Sequence, residues 1–160
     1  MDKLWAPWRM KYIKEGIDKP ASGCIFCSKP AESDDRGNLI LYRGQKAFVM
    51  ENAFPYNNGH LMVIPYRHTS SIDDIDADAA AEVWSLLAKS RRALSKAFNP
   101  DGFNIGINLG RAAGAGIDQH LHIHIVPRWS GDVNYMSVIA ETKVISQSLQ
   151  EAYDALKEFF

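Results

Sequence analysis

Three of the chain's five histidines stand at alternate positions, His120, His122 and His124, within Gln119-His120-Leu121-His122-Ile123-His124-Ile125-Val126-Pro127-Arg128. An imidazole with an ordinary pKa of about 6.5 is largely uncharged at neutral pH and can attack phosphorus. Covalent attack by such a group divides one difficult phosphoryl or nucleotidyl transfer into two easier displacements. The attacking nitrogen needs its lone pair free and the other ring N–H held by an acceptor. His122, at the centre of the row, is flanked on both sides. The second chemical group is Cys24-Ile25-Phe26-Cys27, which contains both of the chain's cysteines. In a reducing compartment this spacing reads as a metal site or a redox pair. Two thiolates in a turn with two imidazoles would close a tetrahedral zinc site; a redox pair would want its first cysteine at a helix N-terminus after a strand. A third group is the loop Gly110-Arg111-Ala112-Ala113-Gly114-Ala115-Gly116, directly before the histidines, where glycines allow backbone N–H groups to approach phosphate and Arg111 offers a positive contact.

These residues need a rigid support. Leu121, Ile123, Ile125 and Val126 between and after the histidines predict a half-buried strand that projects all three imidazoles from one face. Leu39–Tyr42 and Ala47–Met50 read as strands joined by a turn at Gly44, His60–Pro65 as a third, and Phe103–Leu109 as a fourth with one exposed face. The loop at 52–59 is rich in turn formers. Between Ser71 and Asn99 the sequence predicts one long helix, with Asp73, Asp74 and Asp76 at its start and Val83, Leu86, Leu87, Leu94 and Phe98 as its apolar stripe. Leu149, Ala152, Tyr153, Leu156, Phe159 and Phe160 mark a C-terminal amphipathic helix. Gly23 and Pro30 predict a tight turn at the cysteines. Residues 1–22, with Trp5, Trp8 and Tyr12, read as an aromatic arm that packs on the body or a partner subunit. The expected fold is a single α+β domain over residues 1–160, an antiparallel sheet of about five strands with one long helix and a C-terminal helix.

At 160 residues with net charge −1, the chain is long enough for one core and carries no broad basic field for nucleic acid or a membrane surface. No stretch has the length and apolarity of a membrane span, and the N-terminus lacks a secretory apolar core. The expectation is a cytoplasmic protein.

The run His120 to Val126 resembles the motif of the histidine triad (HIT) superfamily, three histidines alternating with apolar residues. Asn52 with Gly59-His60-Leu61-Met62-Val63-Ile64-Pro65 and His68 is similar to the family's other signature, and Cys24–Cys27 resembles the zinc-bearing N-terminus of some members. The matching pieces span about residues 24–134. The resemblance implies the HIT-like fold, a homodimer whose sheets join across the interface, and catalysis by His122 through a covalent nucleotidyl-histidine, with His124 bonding phosphate. It implies Asn52 at the ribose, and Asn108, Gly114, Gly116 and Gln119 along the phosphates. The loop lacks the hydroxyl residue many relatives have there, so Asp118 or Gln119 takes that place. It further implies a structural Zn2+ held by Cys24, Cys27, His68 and His120, and no organic cofactor. His60 is expected as a hydrogen-bonding residue near the site. Phe48 and Phe54 are candidates for a base sandwich or for core, and Trp129 for stacking a second adenine or capping the surface.

The Leu4–Arg9 opening and the Val126–Met136 tail are most similar to bacterial members that are diadenosine tetraphosphate phosphorylases, or ATP adenylyltransferases. The implied reaction is attack of His122 on the α-phosphorus of a dinucleoside polyphosphate, departure of ATP, and release of ADP by inorganic phosphate. The alternatives are hydrolysis of nucleoside phosphoramidates or dinucleoside polyphosphates, and, from another class, a nucleotide-binding or zinc-stabilised interaction protein with little turnover.

Overall fold

The computed structural model describes residues 23–133 and 145–160. The aromatic arm and the Asn134–Met136 part of the tail lie outside the described residues. Helix α1 (Ile25–Ala31) is followed by strands β1 (Ile40–Arg43), β2 (Ala47–Glu51) and β3 (Leu61–Pro65). Helix α2 (Ala77–Phe98), strands β4 (Gly102–Ile107) and β5 (Ile123–Arg128), and helix α3 (Leu149–Lys157) complete the order. The strands form one five-stranded sheet in the order β1-β2-β3-β5-β4, with every neighbouring pair antiparallel. The expected α+β architecture is present.

Alternation along the strands divides the sheet into two faces. Ala47, Val49, Leu61, Val63, Ile123 and Ile125 pack against Leu86, Leu87 and Leu94 of α2 and Tyr153 and Leu156 of α3. Phe48, Met50, Met62 and Ile64 point the other way, onto Phe26 of α1. The cysteine-bearing segment thus covers the sheet face opposite the long helix. It is a two-turn helix rather than the expected tight turn: Cys24 is its N-cap residue, and its carbonyl accepts the N–H groups of Cys27 and Ser28 at 3.0 Å each.

The segment 71–99 is not one helix. Ser71 caps a short 3-10 turn, Ile72–Asp74, through the Asp73 N–H, and α2 begins only after Asp76, whose carboxylate accepts from the Ala79 N–H. Asp73 and Asp74 therefore serve the preceding turn, since each capping side chain starts its own element. Asn99 closes α2 in the left-handed conformation at φ 45°. Helix α3 opens with a capping box of Ser148 and Glu151 and ends at Lys157, short of Phe159 and Phe160.

The two sheet edges differ. Along β1, the Tyr153 hydroxyl donates to the Ile40 carbonyl at 3.0 Å and the Lys157 ammonium to the Leu41 carbonyl at 2.7 Å. Along β4, Ile105 and Ile107 fall on the helix-covered face, in register with Ile125 and Ile123. They nonetheless remain 51% and 41% exposed, because α2 and α3 lie over the other strands.

Candidate active site and metal centre

The histidine row does not lie on one strand. β5 begins at Ile123, and pairing with β3 stops at Val63. Further along β3, Pro65 has no N–H to offer a ladder. Residues 120–122 dock instead on the chain leaving β3: the Leu121 N–H donates to the Thr69 carbonyl at 2.6 Å, and the His120 Nε2–H to the Pro65 carbonyl at 2.8 Å. His120 is thereby turned toward α1 while His122 and His124 stay beside the sheet face.

That detour orients each ring. Because His120 spends Nε2–H on Pro65, its Nδ1 carries the lone pair, and Nδ1 lies 3.3 Å from Cys24 Sγ, 3.6 Å from Cys27 Sγ and 3.3 Å from His68 Nδ1. Cys27 Sγ is 3.4 Å from His68 Nδ1, and the four ligand atoms all lie within 4.8 Å of one another. A tetrahedral ion with bonds of about 2.3 Å to sulfur and 2.0–2.1 Å to nitrogen requires edges of roughly 3.3–3.8 Å. The donor set fits zinc in chemistry and in size, and the bond from His120 to Pro65 is the outer contact that fixes a ligating imidazole. Four protein ligands leave no open position, so such an ion would be structural. The helix placing Cys24 at its N-cap meets half of what a redox pair wants, but the two imidazoles closing on the thiols favour a metal.

His122 Nδ1–H donates to the His120 carbonyl at 2.8 Å, which leaves the lone pair on Nε2. The residue is 6% exposed and its ring packs 5.0 Å from the Phe26 ring, which also abuts His120 at 5.6 Å. Burial lowers the His122 pKa against the opposing effect of that carbonyl, so the nucleophilic form prevails at neutral pH. His124 is pushed down to about 4 by burial and then by His122.

A directed chain of hydrogen bonds sets His124. The Tyr56 backbone N–H can only donate, and it meets His60 Nδ1 at 3.0 Å. His60 must then carry its proton on Nε2, which lies 2.9 Å from His124 Nδ1. His124 in turn keeps its proton on Nε2. That buried N–H has no hydrogen-bond partner among the described residues. Across the ladder from His124 stands Gly106, and among the described residues nothing lies within 4 Å of where its side chain would begin. A nucleophilic nitrogen and a buried donor thus stand on neighbouring rings 4.9 Å apart, beside an open stretch of sheet. Such a pair can attack phosphorus and hold a phosphate oxygen.

The other expected residues distribute around this centre. Asn52 is half-buried at the end of β2, its amide nitrogen 3.4 Å from His60 Nδ1 and its oxygen accepting from the Phe54 N–H. Asn108, half-buried, follows β4. In the glycine loop the Gly114 N–H is spent on the Arg111 carbonyl, closing the turn Arg111–Ala113, while Gly116 and Gln119 are exposed. Arg111 is bound to Asp118 at 2.7 Å. Phe48 is fully buried and stacked on Tyr66 at 5.2 Å, so it is core and not half of a base sandwich. The Trp129 indole donates to the Phe98 carbonyl at the end of α2, a surface-capping position. Phe26 and Tyr56 went unassigned in the sequence. Their only signal there was position, one between the cysteines and one four residues before His60.

The HIT domain family model matches residues 35–131. An AP-4-A phosphorylase of Mycobacterium tuberculosis is 40% identical over 94% of this chain and 80% of its own length. A bis(5'-nucleosyl)-tetraphosphatase (asymmetrical) of Schizosaccharomyces pombe is 30% identical over 60% of this chain and 52% of its own. Among solved structures, a Zn-bound histidine triad family protein from Mycobacterium smegmatis superposes with TM-score 0.67 at 26% identity, covering 86% of this chain and 92% of the other. A hypothetical histidine triad nucleotide-binding protein from Sulfolobus tokodaii gives 0.65 at 29%, covering 85% and 88%.

Proposed function

The chain belongs to the HIT domain family, and we propose that it is a diadenosine tetraphosphate phosphorylase working through an adenylyl-His122 intermediate. The observation that carries this reading is the paired orientation of His122 and His124, lone pair on one Nε2 and buried N–H on the other; the likeness to the mycobacterial phosphorylase supplies the substrate class. In the first displacement His122 Nε2 bonds to the α-phosphorus and the bond to the bridging oxygen breaks, releasing ATP. The positive charge that develops on the ring is met by the His120 carbonyl at Nδ1–H. His124 Nε2–H donates to a phosphate oxygen. In the second displacement inorganic phosphate attacks the adenylyl phosphorus, ADP departs and His122 is restored.

Asn52 would meet the ribose hydroxyls, and Asn108, Gly114, Gly116 and Gln119 the phosphate chain from the loop side. Cys24, Cys27, His68 and His120 would hold Zn2+, which pins α1 to the histidine segment; thiols kept for a metal suit a cytoplasmic location. We further take residues 1–160 as one domain, since α1, the sheet and both long helices share two continuous cores. A homodimer joined at β4 would cover Ile105 and Ile107.

The test is product analysis with diadenosine tetraphosphate. ADP and ATP formed only with inorganic phosphate support the reading; AMP and ATP formed without it would make the protein a hydrolase. His122→Gly should abolish turnover while the ligand still binds. Turnover that survives in His122→Gly overturns the covalent route.

A further inference from the structure

We propose that Tyr56 is the stacking platform for the base of the leaving nucleotide, the end of the substrate beyond the phosphate chain. This rests on the substrate class just proposed and adds to it a residue that selects a second nucleoside.

Tyr56 sits in the loop between β2 and β3 with its backbone N–H fixed on His60 Nδ1. Its ring lies 4.5 Å from the His60 ring and 5.7 Å from the His124 ring, both tilted contacts. With one side against these imidazoles, the residue is still 48% exposed. The rings of His122, His124 and Tyr56 follow one another at 4.9 Å and 5.7 Å. A phosphate chain bonded at His122 and running past the unpartnered Nε2–H of His124 arrives at Tyr56. A core role accounts for the side that touches His60, not for the open one. Phe54 in the same loop is 53% exposed. Trp129 follows the far end of β5 with its N–H on the Phe98 carbonyl, whereas Tyr56 touches the His124 ring itself. Stacking accepts any base, because every base has a π-face, so the platform reads the presence of a distal nucleoside and not its identity.

The experiment compares diadenosine tetraphosphate with adenosine 5'-tetraphosphate, which presents the same α-phosphorus and phosphate chain but no distal nucleoside. Tyr56→Ala should raise KM for the dinucleotide by about five- to a hundredfold, leave kcat nearly unchanged, and leave adenosine tetraphosphate unaffected. Tyr56→Phe, which keeps the ring, should behave as the parent protein. Equal losses on both substrates would show that the residue only supports His60, and no change on either would overturn the platform. Equilibrium binding in a His122→Ala background separates this inference from the proposed reaction. If the parent protein turns over neither compound, yet Tyr56→Ala erases a binding preference for the dinucleotide, the reaction falls and the platform stands. If that preference is absent, or survives Tyr56→Ala, the platform falls whatever the turnover.

Discussion

Replacing Glu51 with Gln should stabilise the protein, and increasingly so as pH rises. Glu51 ends β2 on the face that carries Ala47 and Val49, is 1% exposed, and its Oε2 has no hydrogen-bond partner among the described residues. Burial without a compensating partner pushes the carboxyl from 4.5 up to about 8. Between those two values the folded chain retains a proton that the unfolded chain has released. Folding stability therefore falls with rising pH, by about 1.4 kcal/mol per unit for one proton. The full window corresponds to about 5 kcal/mol, an upper figure because a buried carboxylate draws in water and relaxes; about 2–5 kcal/mol is the expected range. That is a large share of the 5–15 kcal/mol that typically holds a domain together. Gln has nearly the shape of the protonated acid and no charge to release. The two proteins should agree within about 1 kcal/mol at pH 5, and the variant should lead by several kcal/mol at pH 8. Urea unfolding at pH 5, 6, 7 and 8 reads the difference, and every other titrating group is common to both proteins and cancels. A difference that does not change with pH, or a variant less stable at pH 8, would refute the argument.

Metal analysis should find about one zinc per chain, and either chelation or Cys27→Ser should lower the Tm by about 10 °C or more, since the proposed ion would join α1 to the histidine segment; an unchanged Tm after complete removal of metal would refute a structural ion. The double variant Ile105→Lys with Ile107→Lys should convert a dimer to a monomer by light scattering, and a mass that does not fall would place the interface elsewhere. His60→Phe removes both bonds that set the His124 tautomer. It should lower kcat by about five- to a hundredfold while KM moves little; a KM effect alone would assign His60 to binding.

The strands and long helices were legible because they rest on alternation and on a 3.6-residue stripe, and burying the apolar set of each dictates its face. The spacing of His120, His122 and His124 announced a site, yet it suggested one continuous strand. What breaks that strand is tertiary: the docking of His120 and Leu121 on the Pro65 and Thr69 carbonyls leaves no mark in local sequence. The helix at Cys24 was hidden for a similar reason, as Gly23 and Pro30 flank it with turn chemistry while Phe26 is drawn into the core between His120 and His122. Ser71 and Asp76 are both ordinary N-cap residues, and only the structure shows that each begins an element of its own. The pairing of His60 with His124, 64 positions apart, depends on β3 lying beside β5, a neighbour relation that no local pattern encodes.

The unequal edges of the sheet bear on how association ends. Tyr153 and Lys157 occupy carbonyls of β1, whereas β4 presents its apolar residues unscreened. A sheet open at both ends could add copies without limit and grow into a filament. With one end stoppered, two molecules meeting edge to edge consume the adhesive side of each. The doubled sheet would then terminate in a stopper at both ends, so in the proposed dimer the helix that closes the core would also hold the count at two.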